Sequence, residues 1–318
     1  VAHAKNTRHV SGNPAKRARA EGGPAGPVTL GDWIGAARLR TLPLAVTPVV
    51  IGSGAAVLAD PQHLFHGMIA LACLAVAVFL QIGVNFANDY SDGVKGTDSF
   101  RVGPARLTAS GRIPARRVLA VALAFFGLAA IAGLAIVIRT GQWWLLAVGA
   151  ASIVAAWFYT GGRRPYGYNA LGEVFVFVFF GLVATLGTTW VQAQDLPQEA
   201  WFGAVVAGLL ACAVLLANNL RDIEQDRTAG KRTLSVVIGR RGTQILYTVL
   251  LAAAFGVVAW LAVFYPIAWL AFFGLLTAGP AIAIVWSYKT PRELVTALAL
   301  TSISSPIVGA FLAWGFVG

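Results

Sequence analysis

The 318-residue chain is poor in charge, in acidic groups and in cysteine, and each shortage excludes a class of protein. Charged residues are 12% of the total, about half of the roughly 25% usual in a soluble domain. With 58% hydrophobic residues and a mean hydropathy of +0.72, a water-soluble globular fold is excluded. The two cysteines, Cys73 and Cys212, sit within apolar runs and in no metal-ligand spacing. They read as small packing residues, which excludes a disulfide framework and a thiolate metal centre. The four histidines, His3, His9, His63 and His66, stand apart from every acidic motif, which disfavours zinc.

What is abundant is apolar sequence in membrane-length runs. Nine candidate spans cover Leu42–Ala59, Leu64–Asn88, Val118–Ile138, Gln142–Tyr159, Asn169–Val191, Trp201–Leu220, Gln244–Tyr265, Pro266–Tyr288 and Leu294–Val317. Each is about the 17–25 residues a helix needs to cross the hydrocarbon. The chain thus reads as an all-α integral membrane protein, and Tyr265-Pro266 is all that separates the seventh span from the eighth. Trp143, Trp144, Trp190 and Trp201 fall at one predicted interface, where indoles anchor helices.

Of the 24 Lys and Arg residues, 23 fall in the N-terminal segment and in the loops after spans two, four, six and eight; Arg139 is the exception. The positive-inside rule places that side, and the N-terminus, of a multi-pass protein in the cytoplasm, and the Ala-, Gly- and Arg-rich composition points to a bacterial cell membrane. The net charge of +11 follows from this topology and does not call for nucleic acid as a partner. Basic loops suit anionic lipid head groups instead. Residues 1–30 are polar, basic and rich in Ala, Gly and Pro, with no apolar segment of signal-peptide type. They read as a disordered basic cytoplasmic arm, and residues 31–318 as one transmembrane domain.

The few acids are concentrated. Asn85, Asn88, Asp89 and Asp92 close the second span, and Asn218, Asn219, Asp222 and Asp226 close the sixth, 133 residues later. An Asp at the centre of a membrane helix costs roughly 2.5–3.5 kcal/mol, so clustered carboxylates at a helix mouth need a compensating partner. Asn85, Asp89 and Asp92 are spaced i, i+4 and i+7, which predicts one helical face. Asn218, Asp222 and Asp226 at i, i+4 and i+8 do the same if their helix continues past the membrane surface. The repeat predicts two halves facing each other across a central cavity. Four facing carboxylates repel unless a cation lies between them, and an all-oxygen donor set favours Mg²⁺, with Mn²⁺ the alternative. Because Mg²⁺ usually completes its shell with water and substrate phosphate, a phosphorylated ligand is implied. Lys95, Arg101 and Arg106 follow the first motif, Lys231 and Arg232 follow the second, and Arg38, Arg40, Arg163 and Arg164 share their side. These cations are candidates to grip a diphosphate and stabilise it as a leaving group. A transporter also uses intramembrane acids, but two oxygen-rich clusters on one side do not support alternating access.

Five ordered segments, RLRTLPLAVTP (38–48), NDYSDGVKGTD (88–98), RVGPARL (101–107), YTGGRRPYGYNALGE (159–173) and NNLRDIEQDRTAGKRTL (218–234), resemble the UbiA-type intramembrane prenyltransferases. The likeness runs from Trp33 onward and is strongest to the menaquinone branch of that family. It implies nine transmembrane helices around a cavity open to the cytoplasm and to lipid. It implies Asp89, Asp92, Asp222 and Asp226 as catalytic Mg²⁺ ligands, with Asn88 and Asn219 as further ligands. It implies a polyprenyl diphosphate donor, 1,4-dihydroxy-2-naphthoate as acceptor, loss of the ring carboxylate as carbon dioxide, and demethylmenaquinol as product. Other members of the family use acceptors such as 4-hydroxybenzoate or homogentisate. Gly96 stands where the wider family often has a third Asp, a departure shared with the menaquinone branch. Arg163 stands where that branch often has Pro, and four residues after Tyr159, where other members place a Lys. Tyr159, Tyr90 and Phe86 are candidate aromatic walls for an allylic cation, and Arg40, Lys95 and Arg164 candidates to orient the acceptor.

Overall fold

A computed structural model of the chain describes residues 27–60, 66–97 and 106–318. Arg101, His3, His9, His63 and residues 1–26 of the expected arm lie outside the described residues. The described chain is helical: α1 (Leu30–Ala37), α2 (Pro43–Ala59), α3 (Gly67–Lys95), α4 (Ala115–Thr140), α5 (Leu145–Phe158), α6 (Gly172–Ala193), α7 (Gln198–Arg221), α8 (Ile223–Thr228), α9 (Leu234–Phe264), α10 (Pro266–Ser287) and α11 (Glu293–Val317).

The nine expected apolar runs each coincide with a helical segment, but not all are full spans. Among the described residues seven helices (α3, α4, α6, α7, α9, α10 and α11) are long and apolar enough to cross a membrane. Counting the pair Leu30–Thr41 and Pro43–Ala59, bent by 44°, as one span gives eight. The run Gln142–Tyr159 is realised as α5, whose 14 residues reach about 21 Å against a hydrocarbon core of about 30 Å. A turn at Trp143–Trp144 cuts its start, and Gly161, Gly162 and Pro165 follow its end. The described residues thus give seven or eight full-length spans and do not confirm the expected nine. It is a multi-pass membrane protein.

Burial identifies the centre. In α7, 72% of the apolar window is buried, against 17% in α3, so α7 is the central post and α3 a peripheral wall. Lipid is as apolar as Leu, so helices in a bilayer associate through close packing and interhelical hydrogen bonds. The bundle supplies such bonds between distant segments. Thr189 Oγ1 donates to the Gly52 carbonyl (3.0 Å), Gln192 Nε2 to Ser53 Oγ (2.9 Å) and Ser305 Oγ to Thr47 Oγ1 (2.9 Å), tying α6 and α11 to α2. Tyr247 and Thr301 share a hydrogen bond of 2.6 Å between α9 and α11. The C-terminal ends of α3, α5 and α7 meet at one end of the bundle, where both polar motifs sit.

Candidate active site

Helix α3 continues about two turns past the expected end at Asn88 and stops at Gly96, whose φ of 74° gives the left-handed cap a glycine supplies best. NDYSDGVK is thus helical, and Asn85, Asn88 and Asp92 line one cavity wall. The facing wall comes from Asn218 and Asn219 at the end of α7 and Asp226 in α8. The cavity holds about 560 Å³. It runs from this polar mouth down α3 to Cys73, 19 residues along the helix, about 28 Å at 1.5 Å per residue. Below the mouth the walls are apolar and small, with Leu80 and Val84 on α3, Ala129 and Gly133 on α4, and Gly149 on α5.

Two of the four expected carboxylates are not on that wall. Asp89 is wholly buried, and its two oxygens accept the backbone N–H groups of Leu107 and Thr108, each at 2.9 Å. Asp89 stands within about 40° of Asn85 on the helical wheel, yet these two hydrogen bonds turn its carboxylate onto the 106–108 segment and off the cavity wall. The second expectation fails for a different reason. Helix α7 ends at Arg221 and α8 restarts at Ile223, so Asp222 stands in a break with φ −98° and ψ 7°. Its carboxylate is wholly buried and held by its neighbour, with Arg221 Nε at 2.8 Å and Nη2 at 2.7 Å. Asn218 Oδ1 accepts from the same Nη2 at 3.0 Å. Among the described residues no three Asp, Glu, His or Cys side chains form a preassembled metal cluster. Of the four expected carboxylates, Asp92 and Asp226 line the cavity with amides around them, and Asp89 and Asp222 do not.

Asp89 has a different task. The segment it holds carries Arg106, which lines the cavity with Nη2 3.7 Å from Asp92. Gly93 lets the segment lie flat on α3, since a Cβ there would stand 2.4 Å from Thr108 Cγ2 and 3.2 Å from the Ala109 nitrogen. Asp89→Ala leaves a buried and a part-buried N–H group, of Leu107 and Thr108, without their acceptor. The expected result is a loss of about 3 kcal/mol or more, read as a lower thermal midpoint in detergent, together with lost turnover.

Asp92 is tied into the mouth by charged and hydrogen-bonding partners. Lys231 Nζ lies 3.1 Å from Oδ2, and the Tyr168 hydroxyl donates to Oδ1. The Tyr168 ring lies beneath two cations, with Lys95 Nζ 5.0 Å and Lys231 Nζ 4.8 Å from its centroid. The Thr160 hydroxyl donates to Asn88 Oδ1 at 2.7 Å, and Lys95 Nζ donates to the Thr160 carbonyl at 2.6 Å. The 229–233 turn is laid against the 165–169 loop by the Arg232 N–H donating to the Tyr168 carbonyl, 3.0 Å. Tyr168 and Thr160 are site residues that motif spacing did not single out; the signal was the second aromatic of PYGYN.

The remaining candidates sort by exposure. Arg38, Tyr159 and Lys231 line the cavity, Lys95 sits at its rim on Tyr168, and Asn85 also donates to the Ala37 carbonyl at 3.0 Å. Arg40, in the Leu39–Thr41 turn, Arg163 and Arg164, in the 161–164 turn, and Arg232 are exposed and do not line the cavity. Phe86 and Tyr90 do not line it either; they pack on Trp33, Phe125 and Trp157. The aromatic wall is instead Tyr159, Tyr166, Phe175 and Phe179, a continuous row with centroid spacings of 5.5, 3.9 and 6.2 Å. A π-helical stretch at Phe177–Val183 follows the start of this row in α6, a distortion frequent at functional sites.

This geometry, a polar mouth leading to a long apolar channel, coincides with a known family. Residues 45–316 match the UbiA prenyltransferase family. The chain belongs to that family. Relatives include the 1,4-dihydroxy-2-naphthoate octaprenyltransferases of Mycobacterium tuberculosis, 46% identical over 86% of this chain and 92% of the relative, and of Haemophilus influenzae, 37% identical over 90% and 95%. Among solved structures, a UbiA homologue from Archaeoglobus fulgidus bound to GPP and Mg²⁺ aligns with a TM-score of 0.66. It is 16% identical and covers 90% of this chain and 99% of its own, which shows the shared fold. The UbiA-type fold expected from the five motifs is thereby borne out.

Proposed function

We propose that this UbiA prenyltransferase moves a polyprenyl chain from its diphosphate to 1,4-dihydroxy-2-naphthoate with loss of the ring carboxylate. The observation that carries the reading is the two-part cavity: oxygen donors and cations at the mouth, and a channel of about 28 Å below. The names of the naphthoate octaprenyltransferases, 37–46% identical over most of this chain, support the acceptor. In balance, the allylic carbon–oxygen bond breaks and diphosphate leaves. The carboxyl-bearing ring carbon bonds to the allylic carbon, and the carboxylate departs as carbon dioxide, its bonding pair restoring aromaticity.

The donor set fits Mg²⁺. Asp92 and Asp226 with the amides of Asn88, Asn218 and Asn219 offer only oxygen as ligand atom, and Mg²⁺ takes one or two carboxylates plus water and phosphate. Bound there, the ion neutralises charge on the departing diphosphate. The protein's own groups do the rest. Lys231, Arg106 and Arg38 face the leaving group, Tyr159 and the Tyr166–Phe175 stack face the cationic carbon, and the apolar walls keep water from it. The clustering of basic residues at the mouth end supports a site on the cytoplasmic side of a cell membrane.

The test is incubation of detergent-purified protein with Mg²⁺, octaprenyl diphosphate and 1,4-dihydroxy-2-naphthoate. The expected product by mass is a prenylated naphthoquinol lacking the carboxyl group. EDTA is expected to abolish its formation and excess Mg²⁺ to restore it. Product formed only with 4-hydroxybenzoate or homogentisate would overturn the acceptor, and indifference to EDTA would overturn the metal.

A further inference from the structure

Glu173 is a buried carboxylate that the chemistry above does not use. It sits in the first turn of α6, where the helix N-terminus favours negative charge, and is 8% exposed. Oε1 accepts from Asn219 Nδ2 at 3.0 Å. Oε2 is buried with no hydrogen-bond partner among the described residues. Glu173 does not line the cavity, whereas Asn219 does.

Oε1 can only accept from the Asn219 amide nitrogen, so it dictates which way that amide turns. With Nδ2 committed to Glu173, the Asn219 oxygen is directed away from α6. We propose that Glu173 is a positioning residue that holds the Asn219 amide with its oxygen toward the cation at the cavity mouth. The proposal rests on the metal-binding reading above and explains why a carboxylate is kept in an apolar helix interface with one oxygen unmet, a cost that packing alone would not maintain. Outer partners that orient metal ligands act in this way in many metal sites. The backbone beneath Glu173 is fixed independently of its side chain. Cys212, seven residues before Asn219 on the same face of α7, donates from Sγ to the Glu173 carbonyl at 3.1 Å. Truncating the side chain therefore frees the amide without releasing the helix turn.

The experiment titrates Mn²⁺ into the purified full chain with inorganic diphosphate present and reads free Mn²⁺ by electron paramagnetic resonance. Glu173→Ala is expected to weaken Mn²⁺ binding by about tenfold to a hundredfold. Glu173→Gln, which can still offer an oxygen to Nδ2, is expected to stay close to the parent protein. Asn219→Ala should weaken binding similarly, and the double variant should be no weaker than Asn219→Ala alone, since both act through one ligand. Glu173→Met, which keeps the side-chain volume, replaces Ala should that variant fail to fold, and carries the same expectation. Parent-like Mn²⁺ affinity in the folded Ala or Met variant would overturn the proposal, as would a double variant whose loss is the product of the two single losses. A parent protein that binds no Mn²⁺ would remove the metal reading itself and this proposal with it, an outcome distinct from the other two.

Discussion

Asp92→Asn and Asp226→Asn are each expected to lower turnover by at least about a hundredfold while the protein folds as before. These two carboxylates face each other across the cavity mouth, one from α3 and one from α8, and are its acidic lining. Each substitution keeps the side chain's size and one oxygen but removes the charge that would hold the metal ion and, through it, the diphosphate. Asp92→Asn also leaves Lys231 beside a neutral amide, so the buried cation at 3.1 Å loses its counter-charge. The loss should appear in kcat and in Mn²⁺ affinity together, with the thermal midpoint in detergent little changed for Asp226→Asn. The contrast with Asp89 is the sharper part of the prediction. Asp89→Ala should lower the midpoint, because its oxygens hold the Leu107 and Thr108 backbone. A stable Asp226→Asn variant with parental turnover would remove Asp226 from the site.

Lys231→Met is expected to reduce kcat by about 10²–10³-fold, with a smaller change in KM. Lys231 is 5% exposed, lies over the Tyr168 ring and faces Asp92, so its ammonium sits in the mouth with little water to screen it. A cation so placed stabilises charge as it develops on the leaving diphosphate. If Lys231 only gripped the ground-state diphosphate, KM would rise with kcat unchanged, and the leaving-group role would be withdrawn. Lys231→Arg keeps the charge but spreads it over a planar group and is expected to retain part of the activity.

Much of the site was legible in the chain. The scarcity of acids made the two clusters conspicuous, and the asymmetry of Lys and Arg put both on one side. What spacing did not convey was the rotation of single residues. Asp89 and Asp92 differ by three positions on one helix, yet one caps a loop and the other faces the cavity, because the 106–108 segment folds back over Gly93. Arg163 and Arg164 looked equivalent to Lys231 by side and charge. The 161–164 turn exposes them, while the 229–233 turn, bonded to the Tyr168 loop, carries Lys231 inward. The expected aromatic wall held for Tyr159 but not for Phe86 and Tyr90, for the same reason: Phe86 lies on the back of α3, against Trp33 and Phe125.

The sequence by itself determined that this is a multi-pass membrane protein with paired oxygen-donor motifs at one end of its helices, and which family's motifs these are. Those properties follow from the hydropathy of runs and from local helical period, which depend on residues near one another in the chain. Only the tertiary structure decided which carboxylates reach the cavity, which cations accompany them, and that Glu173 stands behind Asn219. Those choices depend on how segments 18, 46 or 139 positions apart in the chain meet. They are set by packing, by helix breaks such as that at Asp222, and by the need of backbone polar groups in a bilayer to find partners.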